Sequence, residues 1–220
     1  GAIFIGHTTA RAADAPGCVD PTGFKRFEGS HIVLCNKKDF AEYTLQTGKL
    51  KAWNYTTKKP EFEGKEETEG KLAQSLYLVQ PGPSSAEVFR NYKTDLTQRG
   101  FSILYEGKGL DIGADQGRVF ESNGPGGQLV GYSPNAARYL AAQKDENGQR
   151  LFVSLYVIEF EGGFHGKITP AKGQVLVRLD VVTAGEIKDR LVIVTAPEIK
   201  AGLGSKGKVV IYGILFDFNK

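Results

Sequence analysis

Methionine is missing from all 220 residues, tryptophan occurs once, cysteine twice and histidine three times, and each shortage removes a class of function. Two cysteines and three scattered histidines, His7, His31 and His165, show no metal-ligand spacing, so no metal site is expected. A catalytic thiol would need one of those histidines beside it, and no local signature places one there. Nor is there an apolar run long enough to span a bilayer. Charge of one sign is lacking too. The 28 basic and 25 acidic residues leave a net charge of +3 and alternate along the chain, without the concentrated basic patch that nucleic acid demands, so no nucleic-acid partner is expected. The first residue is not an initiator methionine, so the chain is expected to start inside its gene.

What is present is a globular composition, 40% hydrophobic, with 28 glycines falling between apolar alternations, the habit of sheet-rich proteins with many turns. The clearest local signal is Lys71 to Glu106. Leu72, Leu76, Tyr77, Leu78 and Val79 read as a strand ended by Gln80-Pro81-Gly82-Pro83. Ser84, with Glu87 three residues on, predicts a helix start, and Val88, Phe89, Tyr92 and Leu96 recur on one face of that helix. Gly100 is placed to end it in a positive-φ conformation with Phe101 folding back on Leu96, and Asp95 and Arg99 form a weak helical pair. Phe101, Ile103 and Tyr105 then alternate as a second strand, so the segment reads as a β-α-β unit with parallel strands and a right-handed crossover.

Other stretches are weaker. Edge strands are expected around Ser30 to Leu34 and Phe40 to Leu45. Trp53 and Tyr55 suit half-buried sheet positions, with an exposed sugar-contacting pair as the alternative. The charged run Glu61 to Glu69 reads as a solvated hairpin end, and Asp111 to Gly117 as a surface loop without the ligand register of a calcium site. Gly124-Pro125-Gly126-Gly127 lacks the Lys-Ser/Thr of a phosphate loop and reads as a flexible turn. Asn147-Gly148 between Arg138–Gln143 and Arg150–Glu159 is the strongest hairpin signal. Ser75-Leu-Tyr-Leu-Val79 and Ser154-Leu-Tyr-Val-Ile158 are near copies and hint at a duplicated unit. Val175 to Val181 is a further strand, and Thr195 with Pro197 and Glu198 opens one short helical turn closed by Gly202 or Gly204. The fold class is therefore α+β, a mainly antiparallel sheet with β-α-β units and one principal amphipathic helix packed on one face.

Gly1 to Ala12 looks like the tail of a secretory signal, Ala2 to Ile5 ending the apolar region and Ala10-Arg11-Ala12 forming a small-x-small cleavage site before Ala13; a retained N-terminal strand is the alternative. In an exported chain thiols are oxidised, so Cys18 and Cys35 are expected to pair, closing a loop worth ~3 kcal/mol. Lipidation of Cys18 fits less well, because Asp14 and Pro16 separate it from the apolar residues.

Tyr212-Gly213-Ile214-Leu215-Phe216-Asp217-Phe218-Asn219-Lys220 closes a β-prone run from Gly207 and resembles the opening strand of the OmpA-like C-terminal domain, a family that binds the peptide stem of peptidoglycan. The Asp and Arg with which that family grips its ligand lie downstream of this strand, so no binding residue is carried over. Pro16-Gly17-Cys18-Val19-Asp20-Pro21, Phe27-Glu28-Gly29-Ser30, Ser85 to Tyr92 with its Arg90-Asn91-Tyr92, and Gly100 to Glu106 resemble the α+β domain found ahead of OmpA-like domains in Gram-negative envelope proteins. Cys18 and the glycine-rich insert around Gly124 depart from that pattern. With the signal remnant read over residues 1–12, the resemblance implies an envelope domain over 13–202 and a linker with the first strand of a truncated domain over 203–220. It also implies a periplasmic or outer-membrane location and an anchor to peptidoglycan through the downstream domain, with an envelope protein as possible partner. No Ser-His-Asp, paired-carboxylate or metal spacing stands out, so a non-catalytic module is expected, with no cofactor. A periplasmic hydrolase acting on cell-wall or sugar substrates is the alternative, because two distant carboxylates leave no sequence signature.

Overall fold

A computed structural model of the chain describes residues 12–131 and 136–185. In chain order its elements are β1 (Ser30–Gln46), β2 (Leu50–Asn54), β3 (Lys59–Phe62), β4 (Lys65–Val79), α1 (Ser85–Gln98), β5 (Ser102–Lys108), α2 (Gln116–Ser122), β6 (Arg138–Glu146), β7 (Gln149–Glu159) and β8 (Val175–Ala184). Six strands make one sheet in the order β1-β4-β8-β7-β6-β5, and β2 and β3 pair as a separate hairpin. Every neighbouring pair in the six-stranded sheet is antiparallel. The described residues belong to a compact unit that runs to Gly185.

The sheet is thick because β8 is apolar on both sides. Val175 to Val182 are buried without a break, the pattern of a strand covered on two faces. Alternation sends Val175, Val177, Leu179 and Val181 to one face and Leu176 and Val182 to the other, where they join two separate apolar clusters.

Helix α1 covers the first face. Ser84 Oγ accepts from the Glu87 N–H at 3.2 Å, and Val88, Phe89, Tyr92 and Leu96 are buried, each stabilising the fold by roughly 1.5–3 kcal/mol through removal from water. Gly100 sits at φ +83°. Phe101 N–H donates to the Leu96 carbonyl at 3.0 Å, closing the helix as its sequence predicts. Residues 12–29 extend this cover. Ala15 N–H donates to the Ile32 carbonyl at 2.7 Å, Phe27 N–H to the Tyr92 hydroxyl at 3.2 Å, and the Phe24 and Phe101 rings lie 5.9 Å apart.

The second face carries a different roof: the β2–β3 hairpin, a 3-10 turn at Gly109–Ile112, α2 and a second 3-10 turn at Gly127–Val130. Phe120 of α2 stacks on Tyr156 of β7 with centroids 4.1 Å apart. Gly117 lets α2 approach the next turn, since a Cβ there would fall 1.9 Å from the Gly131 carbonyl oxygen. The expectation of a single principal helix thus needs correction, because α2 adds a second, short one on the opposite face.

Four further expectations change. Strands β4 and β5 do point the same way, but β8, β7 and β6 lie between them, so α1 crosses the sheet and joins no adjacent parallel pair. The two expected edge strands are one strand of 17 residues, whose irregularities between Ile32 and Leu34 and between Lys38 and Ala41 absorb the polar stretch between them. The charged run Glu61 to Glu69 is solvated and leads into β4 as expected, but it is mostly strand and not a hairpin end, its second half pairing with β1 through Thr44 and Glu67. The near-copies flank β8 on β4 and β7, but Tyr77 lies level with Val177 and Tyr156 with Arg178. The two tyrosines therefore face opposite sides of the sheet, and the copies do not occupy equivalent places.

The hairpin at Asn147-Gly148 matches expectation, both residues having positive φ, 53° and 76°.

A candidate ligand cleft braced by a buried ion pair

On the second face, β8 inserts two charges into its apolar run. Arg178 and Asp180, two residues apart on one side of the strand, are 0% and 1% exposed and contact each other at 2.5 Å. Two charges taken out of water cost several kcal/mol each unless their hydrogen-bonding positions are filled, and here they are. Asp180 Oδ2 accepts from the Tyr43 hydroxyl and from Gln74 Nε2, both at 3.0 Å. Asn36 Nδ2 donates in turn to Gln74 Oε1 at 2.9 Å. Burial, and then the charge of Asp180, push the Tyr43 phenol well above its ordinary range, so it stays a neutral donor.

The guanidinium of Arg178 also donates to the backbone carbonyls of Asn123 and Pro125. This overturns the reading of Gly124 to Gly127 as a flexible turn. The loop is clasped from below, and Gly124, at φ +107°, is required because a Cβ there would fall 2.2 Å from Arg178 Nη2. The loop reading of Asp111 to Gly117 is corrected as well. Ile112 is buried in a 3-10 turn, and Gln116 begins α2. Gln116 and Gln46 exchange side-chain hydrogen bonds at 3.0 and 2.6 Å.

Above the ion pair opens a cleft of about 840 Å³, between the outer halves of β1 and β4, the β2–β3 hairpin and the end of α2. Tyr43 and Thr68, cross-strand partners, belong to its floor. Glu42, Thr44, Glu67 and Glu69 border the cleft as well, though alternation turns their side chains to the other side of the strands. There Glu67 accepts from Thr44 at 2.7 Å and from Lys65 at 2.5 Å, and the Lys65 bond, then that from Thr44, hold its carboxyl below the usual range. Pro60 and Phe62 line one wall from the hairpin face that also carries Trp53 and Leu50. Val119, Ser122 and Asn123 line the opposite wall. Lys58 lies at the hairpin turn with φ +53°, a conformation that disfavours a residue with a side chain.

No family model matches this chain, and no curated protein does.

The sequence-predicted residues lie elsewhere. Cys18 and Cys35 form a disulfide that ties the N-terminal segment to β1 on the first face. Beside it Arg26 bridges Asp14 and Asp20 at 2.5 and 2.7 Å, and the Tyr77 hydroxyl donates to Asp20 at 2.9 Å. Trp53 is half-buried as expected, while Tyr55 is 63% exposed, donating to Asp115 at 3.1 Å beneath the Arg118 guanidinium. His31 lies within β1, and His165 is exposed in the loop before β8. His7, the signal-like residues Ala2 to Arg11, the turn from Thr195 and the motif Tyr212 to Lys220 fall outside the described residues. Among the described residues no three His, Cys, Asp or Glu side chains gather to hold a metal ion, and no helix is long and apolar enough to cross a membrane.

Sequence reasoning missed Arg178 and Asp180. The signal was there: two opposite charges on one side of the otherwise apolar run VLVRLDVV need each other as partners.

Proposed function

We propose that this chain is a non-catalytic interaction module of an OmpA-like envelope protein, working in the periplasm or at the outer membrane of a Gram-negative cell. A downstream domain anchors it to peptidoglycan, and the cleft on its second face is its binding surface. The observation that carries the non-catalytic reading is that the buried ionisable pair beside the cleft, Arg178 and Asp180, is wholly engaged by protein partners. Asp180 is 1% exposed and accepts from Arg178, Tyr43 and Gln74, so its carboxylate is closed off from a substrate. A general acid must remain protonated near neutral pH, and the hydrogen bonds from Lys65 and Thr44 pull Glu67 the other way. The bordering carboxylates Glu42, Glu67 and Glu69 lie on strands whose alternation turns them from the floor, and the side chains left for a ligand are hydroxyls, an amide, the Lys58 ammonium and an aromatic wall, which grip rather than react. The envelope reading is supported by the disulfide, a bond that persists in oxidising compartments, by the signal-like N-terminus and by the Phe216-Asp217-Phe218-Asn219-Lys220 resemblance.

The test is incubation of full-length protein and of this 220-residue chain with purified peptidoglycan. Retention of the full-length protein alone is the expected result. Release of soluble muropeptides by the 220-residue chain would overturn the non-catalytic reading, and failure of the full-length protein to bind would overturn the anchor.

A further inference from the structure

The cleft has three properties that together select a ligand. Its size, about 840 Å³, falls within the range of roughly 300–1,000 Å³ usual for small-molecule sites. Its walls differ. One is the apolar pair Pro60 and Phe62, and the other is the end of α2, where the polar Ser122 and Asn123 stand beside Val119. Ser122 donates its hydroxyl proton to the Arg118 carbonyl at 2.8 Å, so it presents lone pairs outward. Asn123 offers an amide donor and acceptor, Thr68 a hydroxyl on the floor, and neither side chain has another hydrogen bond among the described residues. Finally, the bordering charges favour no ion. Glu42, Glu67 and Glu69 border the cleft against the single cation Lys58, and Glu67 is already paired with Lys65. The excess of carboxylates disfavours an anion, and alternation turns their side chains to the far side of the strands, where they offer a cation in the cleft no direct contact.

The walls are also fixed in advance. Asp180 holds Tyr43 under the floor and Arg178 holds the Asn123 carbonyl under the far wall. The costliest buried group in the fold thus spans the two sides of the cleft, and groups held this way lose little freedom when a ligand arrives.

We propose that this cleft is a binding site for an uncharged saccharide, one ring laid against Phe62 and Pro60 and its hydroxyls bonded by Thr68, Ser122 and Asn123. A sugar ring has an apolar C–H face and an equatorial belt of groups that both donate and accept, matching a wall of each kind. The site rests on the reading of this chain as a non-catalytic binding module, and it names the ligand class for that module.

The whole chain, labelled with nitrogen-15, is titrated with two neutral probes, tetra-N-acetylchitotetraose and maltotetraose, and with two charged ones, chitosan tetramer and tetragalacturonate. Saturable amide shifts at Thr68, Ser122 and Asn123 with either neutral probe are expected. Phe62→Ala should weaken that binding about tenfold through loss of the ring contact. Phe62→Tyr should retain it, which separates a lost contact from a disturbed hairpin, and Thr68→Val, similar in shape, should weaken it several-fold. No saturable shift with either neutral probe, shifts centred elsewhere, or tighter binding of a charged probe would overturn the proposal. Cleavage of a bound probe would overturn the non-catalytic reading and leave the site standing. Failure of the full-length protein on peptidoglycan, with cleft shifts intact, would remove only the anchor.

Discussion

The two faces of the sheet are roofed by different physics. On the first, a 14-residue helix with a continuous apolar stripe lies on apolar strands, and the N-terminal segment beside it is fastened by a disulfide and by Arg26 between two part-exposed carboxylates. On the second, no element of the roof exceeds seven residues. Short elements bury too little to hold themselves in place. What steadies the loop between α2 and the second 3-10 turn is a guanidinium rising from the sheet. A regular roof needs only a hydrophobic stripe, whereas an irregular one needs its backbone carbonyls satisfied at chosen points. The second arrangement is also the one that leaves a cleft.

The largest expected effect comes from breaking the second roof at its root. Asp180→Ala leaves Arg178 as an uncompensated buried cation and strips the Tyr43 hydroxyl and Gln74 of their acceptor, so urea unfolding should show a loss of about 3–5 kcal/mol. Replacing both charges, as Arg178→Met with Asp180→Leu, removes the stranded cation but leaves the Asn123 and Pro125 carbonyls without a donor. Recovery should therefore be partial. A cost below about 1 kcal/mol for Asp180→Ala, the scale of an ordinary hydrogen bond, would show that water reaches the pair and that the second roof does not depend on it.

The first roof is tested at its covalent fastening. Cys18→Ala with Cys35→Ala opens a loop spanning a sequence separation of 17, for which the chain-entropy account gives a loss of about 3 kcal/mol. The change should be local as well as global. Hydrogen exchange should quicken at Ala15 and Phe27, whose N–H groups bond Ile32 and Tyr92, and stay unchanged at the Leu129 N–H, which bonds the Gly126 carbonyl under the other roof. Equal quickening on both faces would mean that the two roofs do not respond separately.

The same contrast decides how much could be read from the chain. Helix α1 was legible from cap to cap, because Ser84, the Val88-Phe89-Tyr92-Leu96 stripe and Gly100 each act within one or two turns. The β6–β7 hairpin was legible because Asn147-Gly148 acts within two residues. The strand order was not, since pairing β8 between β4 and β7 depends on contacts about a hundred residues apart. The cleft was hidden for a related reason. Gly124 looked like slack because its constraint, the Arg178 side chain, lies far along the sequence. The disulfide was legible only because there are two cysteines to pair.

The smallest expected effect compares the two helices directly. In α1 the cap is made by a side chain, Ser84 Oγ accepting from the Glu87 N–H, and the first turn depends on it. Ser84→Ala should therefore cost about 1 kcal/mol, the usual value for losing such a cap. In α2 the residue at the same position, Asp115, makes no capping bond; its carboxylate instead accepts from the exposed Tyr55 hydroxyl and contacts Arg118. Exposed contacts of that kind contribute little, so Asp115→Ala should change stability by less than about 0.5 kcal/mol. Paired urea titrations of the two variants check the difference. A cost for Asp115→Ala equal to that for Ser84→Ala would mean that α2 is held by its own start, and not by Phe120 on Tyr156 and Gln116 on Gln46 as the packing of the second roof requires.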